Sequence, residues 1–193
     1  MNICILLAAG KSIRFGTSSK QLHVLPSGET VLETCIETLL QVVDKIIVVT
    51  NDIVQYKNRR VICIPNNISC RLKSIEAGLH YIRTHYSLVT KKVLIHDVAR
   101  PFITCKHIQR LLSSRYKYSQ YCLKLTNGLI YKGVQCVDRD AYLELCTPIC
   151  IEYNLFCRLK VPNEFIDLLK PEEYELVHSH YKYLRKITTI DDT

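Results

Sequence analysis

The sequence predicts a three-layer α/β fold with a mostly parallel sheet. Four short runs are rich in Ile, Val and Leu without polar alternation, which is typical of strands buried on both faces. These runs are residues 3–7, 45–50, 61–64 and 92–96. Segments with helical periodicity lie between them. Strands that alternate with helices indicate a parallel sheet covered by helices on both sides.

The composition limits the class of protein. The chain has 193 residues, of which 48% are hydrophobic and 23% charged, so it is long and apolar enough for one domain with a sizeable core. No apolar run reaches 18 residues, and residues 1–9 lack a basic n-region, so we expect neither a membrane span nor a signal peptide. The ten cysteines include no Cys-x-x-Cys pair, and several lie in apolar runs. This usage favours reduced thiols and a cytoplasmic location.

Three helices are expected between the strands. The first begins at Thr30, which is spaced to form a capping box with Glu33. The second begins at Ser69 and the third at Thr104. Each has an apolar stripe at helical spacing. The stripes are Val31, Leu32, Cys35, Ile36, Leu39 and Leu40 in the first, Leu72, Ile75, Leu79 and Ile82 in the second, and Ile108, Leu111 and Leu112 in the third.

The pattern changes after about residue 121. Asn127-Gly128 separates two strand-like segments and is a hairpin signal, so we expect residues 122–140 to form an antiparallel arm that leaves the sheet. After residue 151 we expect a helix, a loop and a final edge strand near 183–188. With no repeat or flexible linker, residues 1–193 are expected to form a single domain.

A first candidate site follows the first predicted strand, where open α/β sheets bind ligands. Residues 8–10 are Ala-Ala-Gly, small enough for backbone N–H groups to approach a ligand closely. Lys11, Arg14 and Lys20 bring three cations to the same loop. Backbone donors together with cations suit a polyphosphate, although the loop has neither the Walker A pattern nor the dinucleotide fingerprint. The alternative is a polar loop with solvated lysines.

A second candidate site follows the fourth apolar run. Asp97 ends that run and is placed to hold a metal ion or a ribose hydroxyl. Arg100, three residues later, is placed to bind a phosphate. The alternative is that Asp97 and Arg100 only pair with each other.

Together these segments resemble the 2-C-methyl-D-erythritol 4-phosphate cytidylyltransferase family. The matching motifs are Leu7-Ala8-Ala9-Gly10 with Arg14 and Lys20-Gln21, Ser74 with Ala77-Gly78-Leu79, His96-Asp97 with Ala99-Arg100-Pro101, and Val137-Asp138-Arg139 with Thr147-Pro148. The match extends from Ile3 to about Ile187. It implies a Rossmann-like nucleotidyltransferase fold and a transfer of CMP from CTP to a sugar-alcohol phosphate, in isoprenoid precursor synthesis. The related ribitol-5-phosphate cytidylyltransferases share most of these motifs.

The resemblance implies a role for each matching residue. The implied catalytic side chains are Arg14, Lys20, Arg139 and Lys186. The implied nucleotide-binding residues are Leu7, Ala8, Ala9, Gly10, Lys11, Arg71, Ser74 and Asp97. The resemblance also implies that the phosphorylated acceptor is bound by Asp97, Arg100, Arg139 and Lys186, and that Asp97 contacts Mg²⁺, the implied cofactor. The arm implies a homodimer in which Arg139 reaches the active site of the partner subunit.

Other readings of the sequence stay open at this point. The net charge of +8 suits anionic reactants, and the basic residues are scattered, which does not favour nucleic acid as a partner. The sequence departs from the family at Ser19, Ile68, Ser69 and Ile149, and it ends before the helix that usually closes the fold. These departures leave a catalytically weak nucleotide-binding protein of the same fold as one alternative. A nucleic-acid-binding domain is another.

Overall fold

A seven-stranded sheet forms the middle layer of the fold. The computed structural model describes residues 1–16, 19–51, 56–68, 70–126, 129–130, 136–159 and 169–193. Its strands are β1 (Asn2–Ala8), β2 (Lys45–Thr50), β3 (Val61–Pro65), β4 (Lys92–Asp97), β5 (Tyr118–Lys124), β8 (Leu143–Glu152) and β9 (Tyr174–His178). The strand order is β3-β2-β1-β4-β8-β5-β9, and only β8 runs antiparallel to its neighbours in this sheet.

Helices cover both faces of the sheet, which confirms the predicted three-layer α/β fold. They are α1 (Val31–Leu40), α2 (Arg71–Tyr86), α3 (Cys105–Leu112), α4 (Tyr153–Arg158) and α5 (Tyr181–Leu184). One core cluster contains residues of α1 and α3, and the other contains residues of α2 and α4. Successive residues of β1 alternate between the two clusters, as expected for a strand buried on both faces.

Two of the three predicted helix starts agree with the structure. Thr30 and Glu33 form the predicted capping box, and Thr104 is the N-cap of α3. Ser69 lies outside the described residues, and α2 begins at Arg71.

Gly78 sets the distance between α2 and the sheet. A Cβ atom at this position would lie 2.6 Å from Cγ2 of Ile5 in β1. No real Cβ contact is that short, so only glycine permits the observed packing. The Ala-Gly-Leu part of the sequence motif therefore has a packing function, and it holds the first turn of α2 near the end of β1.

The topology creates a switch point between β1 and β4. The chain leaves β1 toward β2 and β3, then crosses back and adds β4 on the opposite side of β1. The carboxyl ends of β1 and β4 are therefore neighbours at the reversal of strand order, where open α/β sheets have a ligand-binding crevice. Both candidate loops of the sequence analysis begin at this crevice.

The second half of the chain requires two corrections. Residues 122–124 belong to β5 of the main sheet. Within the predicted arm, β6 (Leu129–Ile130) pairs antiparallel with β7 (Cys136–Val137) in a separate sheet. Asn127-Gly128 lies outside the described residues. The strand before it, β5, pairs with β8 and β9. The predicted edge strand near 183–188 was also wrong, since the edge strand is β9 and residues 181–184 form α5.

Two further features concern the class of protein. Among the described residues, no helix is long and apolar enough to span a membrane. The nine cysteines whose side chains are described are free thiols.

Candidate active site

A cleft of about 520 Å³ lies at the carboxyl ends of β1 and β4. Four segments form its wall: the loop after β1, the first turn of α2, the end of β4 and the segment after α5. Its charged lining residues are Lys11, Arg14, Lys20, Arg71, Asp97 and Lys186. Five cations and one carboxylate therefore share one cleft, which indicates an anionic ligand with several negative charges.

The loop after β1 has a backbone shaped for close approach. Ser12 adopts a left-handed conformation with φ of 51°, and its carbonyl accepts from the Phe15 N–H at 2.8 Å. Its Oγ accepts from the Lys20 backbone N–H at 3.1 Å, which ties the two ends of the loop together. Phe15 is buried and anchors the loop to the core. Gly10 borders open space, because a Cβ there would have no neighbour within 4 Å.

Lys20 lies at the wall of the first cleft, close to two other cations. Its Nζ donates to the Ile187 carbonyl at 2.7 Å, which fixes the ammonium at the cleft wall. Burial lowers the pKa of Lys20, and the positive charges of Lys186 and Arg14 lower it further. An anionic ligand relieves this repulsion. An ammonium has three N–H donors, so Lys20 can bind such a ligand while it holds Ile187.

Asp97 is the carboxylate of the cleft. Its side chain is 19% exposed, and Oδ1 lies 3.8 Å from Nε of Arg71 at the start of α2. The backbone N–H of Asp97 donates to Oγ1 of Thr147 at 3.2 Å, which links β4 to β8. The alternative that Asp97 and Arg100 pair through their side chains was wrong, because each has a different partner.

A second cleft, of about 390 Å³, continues from the first. The two share Arg71, Asp97 and Lys186, and the second also contains Leu72, Arg100, Gln120, Leu145 and Thr147. Arg100 is buried, donates to the Leu184 carbonyl and lies 3.5 Å from Oε1 of Glu144. The site thus has room for two ligands that meet at Asp97 and Lys186.

The structure brings together most residues implied by the resemblance. Those lining the first cleft are Leu7, Ala9, Gly10, Lys11, Arg14, Lys20, Arg71, Ser74, Asp97 and Lys186. Ala8 instead faces the core, and its carbonyl accepts from Nε2 of Gln21 at 3.0 Å. Arg139 is exposed and donates to the Thr126 carbonyl at 3.1 Å, away from both clefts of its own chain.

The departures from the family differ in their surroundings. Ile149 is buried in β8 between Ile95 and Gln120 of the neighbouring strands. Ile68 is exposed beside the first turn of α2, and Ser69 lies outside the described residues. Next to them, Asn66 Nδ2 donates to the buried Ser74 hydroxyl at 2.8 Å.

Several lining residues were missed by the sequence analysis. Ser12, Cys70 and Thr188 line the first cleft, while Gln120 and Thr147 line the second. Thr147 is part of a matched motif, and Gln120 is the single amide in the otherwise apolar and hydroxyl-bearing run 118–123. Ser12, Cys70 and Thr188 carry no sequence signal, because only the folded loops bring them to the cleft.

The fold and the cation-lined cleft define a nucleotidyltransferase. A family model described as the MobA-like NTP transferase domain matches residues 4–152, and the chain belongs to that family.

Curated relatives agree with the resemblance predicted from the motifs. The 2-C-methyl-D-erythritol 4-phosphate cytidylyltransferase of Thermotoga neapolitana is 27% identical over 171 residues, which cover 82% of this chain and 76% of the relative. The enzyme of the same name from Clostridium acetobutylicum is 26% identical, with 100% of this chain and 94% of the relative covered. The predicted resemblance to this group is confirmed.

Solved structures have the same fold. The 4-diphosphocytidyl-2C-methyl-D-erythritol synthase of Anaerococcus prevotii has a TM-score of 0.74 at 21% identity, covering 99% of this chain and 92% of that one. The 2-C-methyl-D-erythritol 4-phosphate cytidylyltransferase of Thermus thermophilus also has a TM-score of 0.74, at 20% identity, covering 100% and 95%. At these identities the likeness concerns the fold alone.

Proposed function

We propose that this protein transfers CMP from CTP to the phosphate of 2-C-methyl-D-erythritol 4-phosphate and releases pyrophosphate, a step of isoprenoid precursor synthesis. The observation that carries the proposal is the pair of contiguous clefts that share Arg71, Asp97 and Lys186. Two phosphorylated reactants repel each other, so their meeting point must contain cations. The names of the curated relatives support this pair of reactants.

The chemistry is an in-line displacement at the α-phosphate of CTP. An oxygen of the acceptor phosphate attacks the α-phosphorus, the bond to the bridging oxygen breaks, and its electron pair leaves on pyrophosphate. A diphosphate link forms, as in the product named by one solved relative, 4-diphosphocytidyl-2C-methyl-D-erythritol. Such transfers depend on positioning and on neutralising negative charge.

The roles of the cleft residues follow from their positions. The backbone of the loop at Ala9 and Gly10 surrounds the triphosphate, and Lys11 adds a charge at its outer side. Arg14 and Lys20 stabilise the charge that develops at the α-phosphate. On the resemblance, Arg71 and Ser74 bind the cytidine. Leu7 lines the nucleotide cleft, whereas Ala8 faces the core and supports the loop from β1.

The acceptor is bound where the two clefts meet. Lys186 neutralises its phosphate from the shared wall, and Arg100 lies farther inside the second cleft. Lys186 is held in place because its neighbour Ile187 donates to the Ala99 carbonyl at 2.8 Å and accepts from Lys20.

The donor set around Asp97 fits Mg²⁺. In the described part of the chain, no group of three His, Cys, Asp or Glu side chains could hold a metal ion. Asp97 is the residue that would hold Mg²⁺ with a carboxylate oxygen, and phosphate oxygens and waters would supply the other ligands. When bound, the ion neutralises phosphate charge and orients the triphosphate.

The arm gives Arg139 a role between subunits. Arg139 lies away from the clefts of its own chain, and the arm it follows contains an isolated two-stranded pair, which is marginal in water without a partner surface. We therefore propose a homodimer in which Arg139 binds the acceptor phosphate in the partner subunit's cleft. The free thiols of the described cysteines suit a reducing compartment, so we assign the enzyme to the cytoplasm.

Pyrophosphate release with CTP tests the function directly. Purified protein is assayed with 2-C-methyl-D-erythritol 4-phosphate, with ribitol 5-phosphate and without acceptor, and Lys20→Ala controls for contaminating enzymes. Turnover with the first acceptor supports the proposal. Turnover with ribitol 5-phosphate but not with 2-C-methyl-D-erythritol 4-phosphate would show that ribitol 5-phosphate is the acceptor. CTP binding without turnover would indicate a nucleotide-binding protein that has lost catalysis.

A further inference from the structure

The second cleft contains a buried amide that the proposed mechanism does not use. Gln120 lies in β5, in the interior of the sheet, and is 3% exposed. Its neighbours in register are Ile149 of β8 and Leu176 of β9. Its side chain nevertheless lines the second cleft. A buried amide favours a hydrogen-bond partner for its nitrogen as well as for its oxygen, so an unpaired nitrogen at the cleft indicates a ligand there.

Tyr118 sets the orientation of this amide. The Tyr118 hydroxyl donates to Oε1 of Gln120, and Tyr118 itself is fully buried. Among the described residues, Nε2 of Gln120 has no hydrogen-bond acceptor. The side-chain atoms there that are unpaired and fully enclosed by protein are Nδ1 of His96 and Nε of Arg100, so Nε2 of Gln120 is unpaired but not fully enclosed. Nε2 is therefore accessible from the cleft, and its two N–H groups are available to a ligand oxygen.

The polarity of the two clefts changes along their length. The wall they share carries Arg71, Asp97 and Lys186, whereas much of the rest of the second cleft is uncharged. These uncharged residues are Leu72, Gln120, Leu145 and Thr147. Arg100, also in this cleft, already contacts Glu144 and the Leu184 carbonyl. A ligand with an anionic end at the shared wall and uncharged hydroxyl and C–H groups beyond it matches this distribution.

We propose that Nε2 of Gln120 donates to a hydroxyl oxygen in the polyol part of the phosphorylated acceptor, and that Gln120 thereby helps to select the acceptor. Tyr118 is a positioning residue that turns the amide nitrogen toward the cleft. The inference rests on the proposed function, because it requires the acceptor to occupy the second cleft. It concerns ground-state binding away from the reacting phosphates, so it affects the acceptor KM and not the chemical step.

The test compares Gln120→Met with the wild-type enzyme. Methionine keeps the length and apolar volume of the side chain and removes both N–H donors. We expect the KM for 2-C-methyl-D-erythritol 4-phosphate to rise about tenfold or more, because a buried hydroxyl loses its donor, while the KM for CTP and kcat stay within about twofold. Tyr118→Phe should raise the acceptor KM by a smaller factor. Gln109→Met, at an exposed glutamine of α3, is the matched control and should change neither KM.

The outcomes separate this inference from the proposed function. If folded Gln120→Met has an unchanged acceptor KM, or an equal rise in both KM values, Gln120 does not select the acceptor. The proposed function still stands in that case, provided that the wild-type protein transfers CMP. If thermal unfolding shows that Gln120→Met does not fold, Tyr118→Phe decides: a selective rise in the acceptor KM supports the inference, and an unchanged value overturns it. A wild-type protein that transfers CMP to neither polyol phosphate refutes the function and this inference together.

Discussion

Replacing Lys20 with alanine tests the electrostatic basis of the site. In the protein, the positive charges of Lys186 and Arg14 lower the pKa of Lys20, and a bound anion would offset this repulsion. A preorganised donor that faces the developing charge stabilises a transition state by roughly 3–4 kcal/mol. Its removal should therefore decrease kcat by about 10²- to 10³-fold. CTP binding should weaken less, because the other cations of the cleft still contact the triphosphate.

The same substitution should have little effect on stability. Lys20→Ala loses the hydrogen bond to the Ile187 carbonyl, worth about 1 kcal/mol. It also removes a partly buried charge whose pKa is lowered by burial and by neighbouring cations, and losing such a charge stabilises the folded state. Because these effects oppose each other, Tm should stay within about 4 °C of the wild type.

The assay is pyrophosphate release at saturating CTP and acceptor, with thermal unfolding measured on the same samples. Lys106→Ala, at an exposed lysine of α3, is the matched control and should retain full activity. A kcat for Lys20→Ala within threefold of the wild type, in a folded protein, would remove Lys20 from the mechanism. A large decrease in Tm would instead show that the main role of Lys20 is to stabilise the fold through its hydrogen bond to Ile187.

The remaining predictions concern packing, metal and assembly. Gly78→Ala forces a Cβ against Ile5 and should destabilise the protein by about 1–3 kcal/mol, seen as a lower Tm. Gly10→Ala places its Cβ in open space, so Tm should not change, but the KM for CTP should rise. Excess EDTA should abolish activity and Mg²⁺ should restore it; full turnover in chelator would contradict the metal requirement. Inactive Lys20→Ala and Arg139→Ala, unfolded and refolded together, should regain about a quarter of wild-type activity, because mixed dimers contain one intact site. No recovery, or a monomer by light scattering, would exclude a shared site.

Elements defined by short-range physics could be predicted from the sequence. The inner strands β1, β2 and β4 are continuous apolar runs, and a strand buried on both faces requires that composition wherever it pairs. The start of α1 depends on Thr30 and Glu33, three residues apart, so the capping box is encoded locally. The candidate loop after β1 could also be predicted from the sequence, because its small residues and its cations follow directly after the strand.

The features that the sequence could not predict depend on contacts between residues far apart in the chain. The edge strand is β9 because residues 174–178 hydrogen-bond to β5, and a short, half-exposed segment carries too little pattern to reveal that partner. The side-chain partner of Asp97 is Arg71, since the packing of Gly78 on Ile5 places α2 against the end of β1 beside β4. Gln120 reaches a ligand cleft only through its register between β8 and β9. Such contacts join residues far apart in the chain, so their geometry exists only once the sheet has formed.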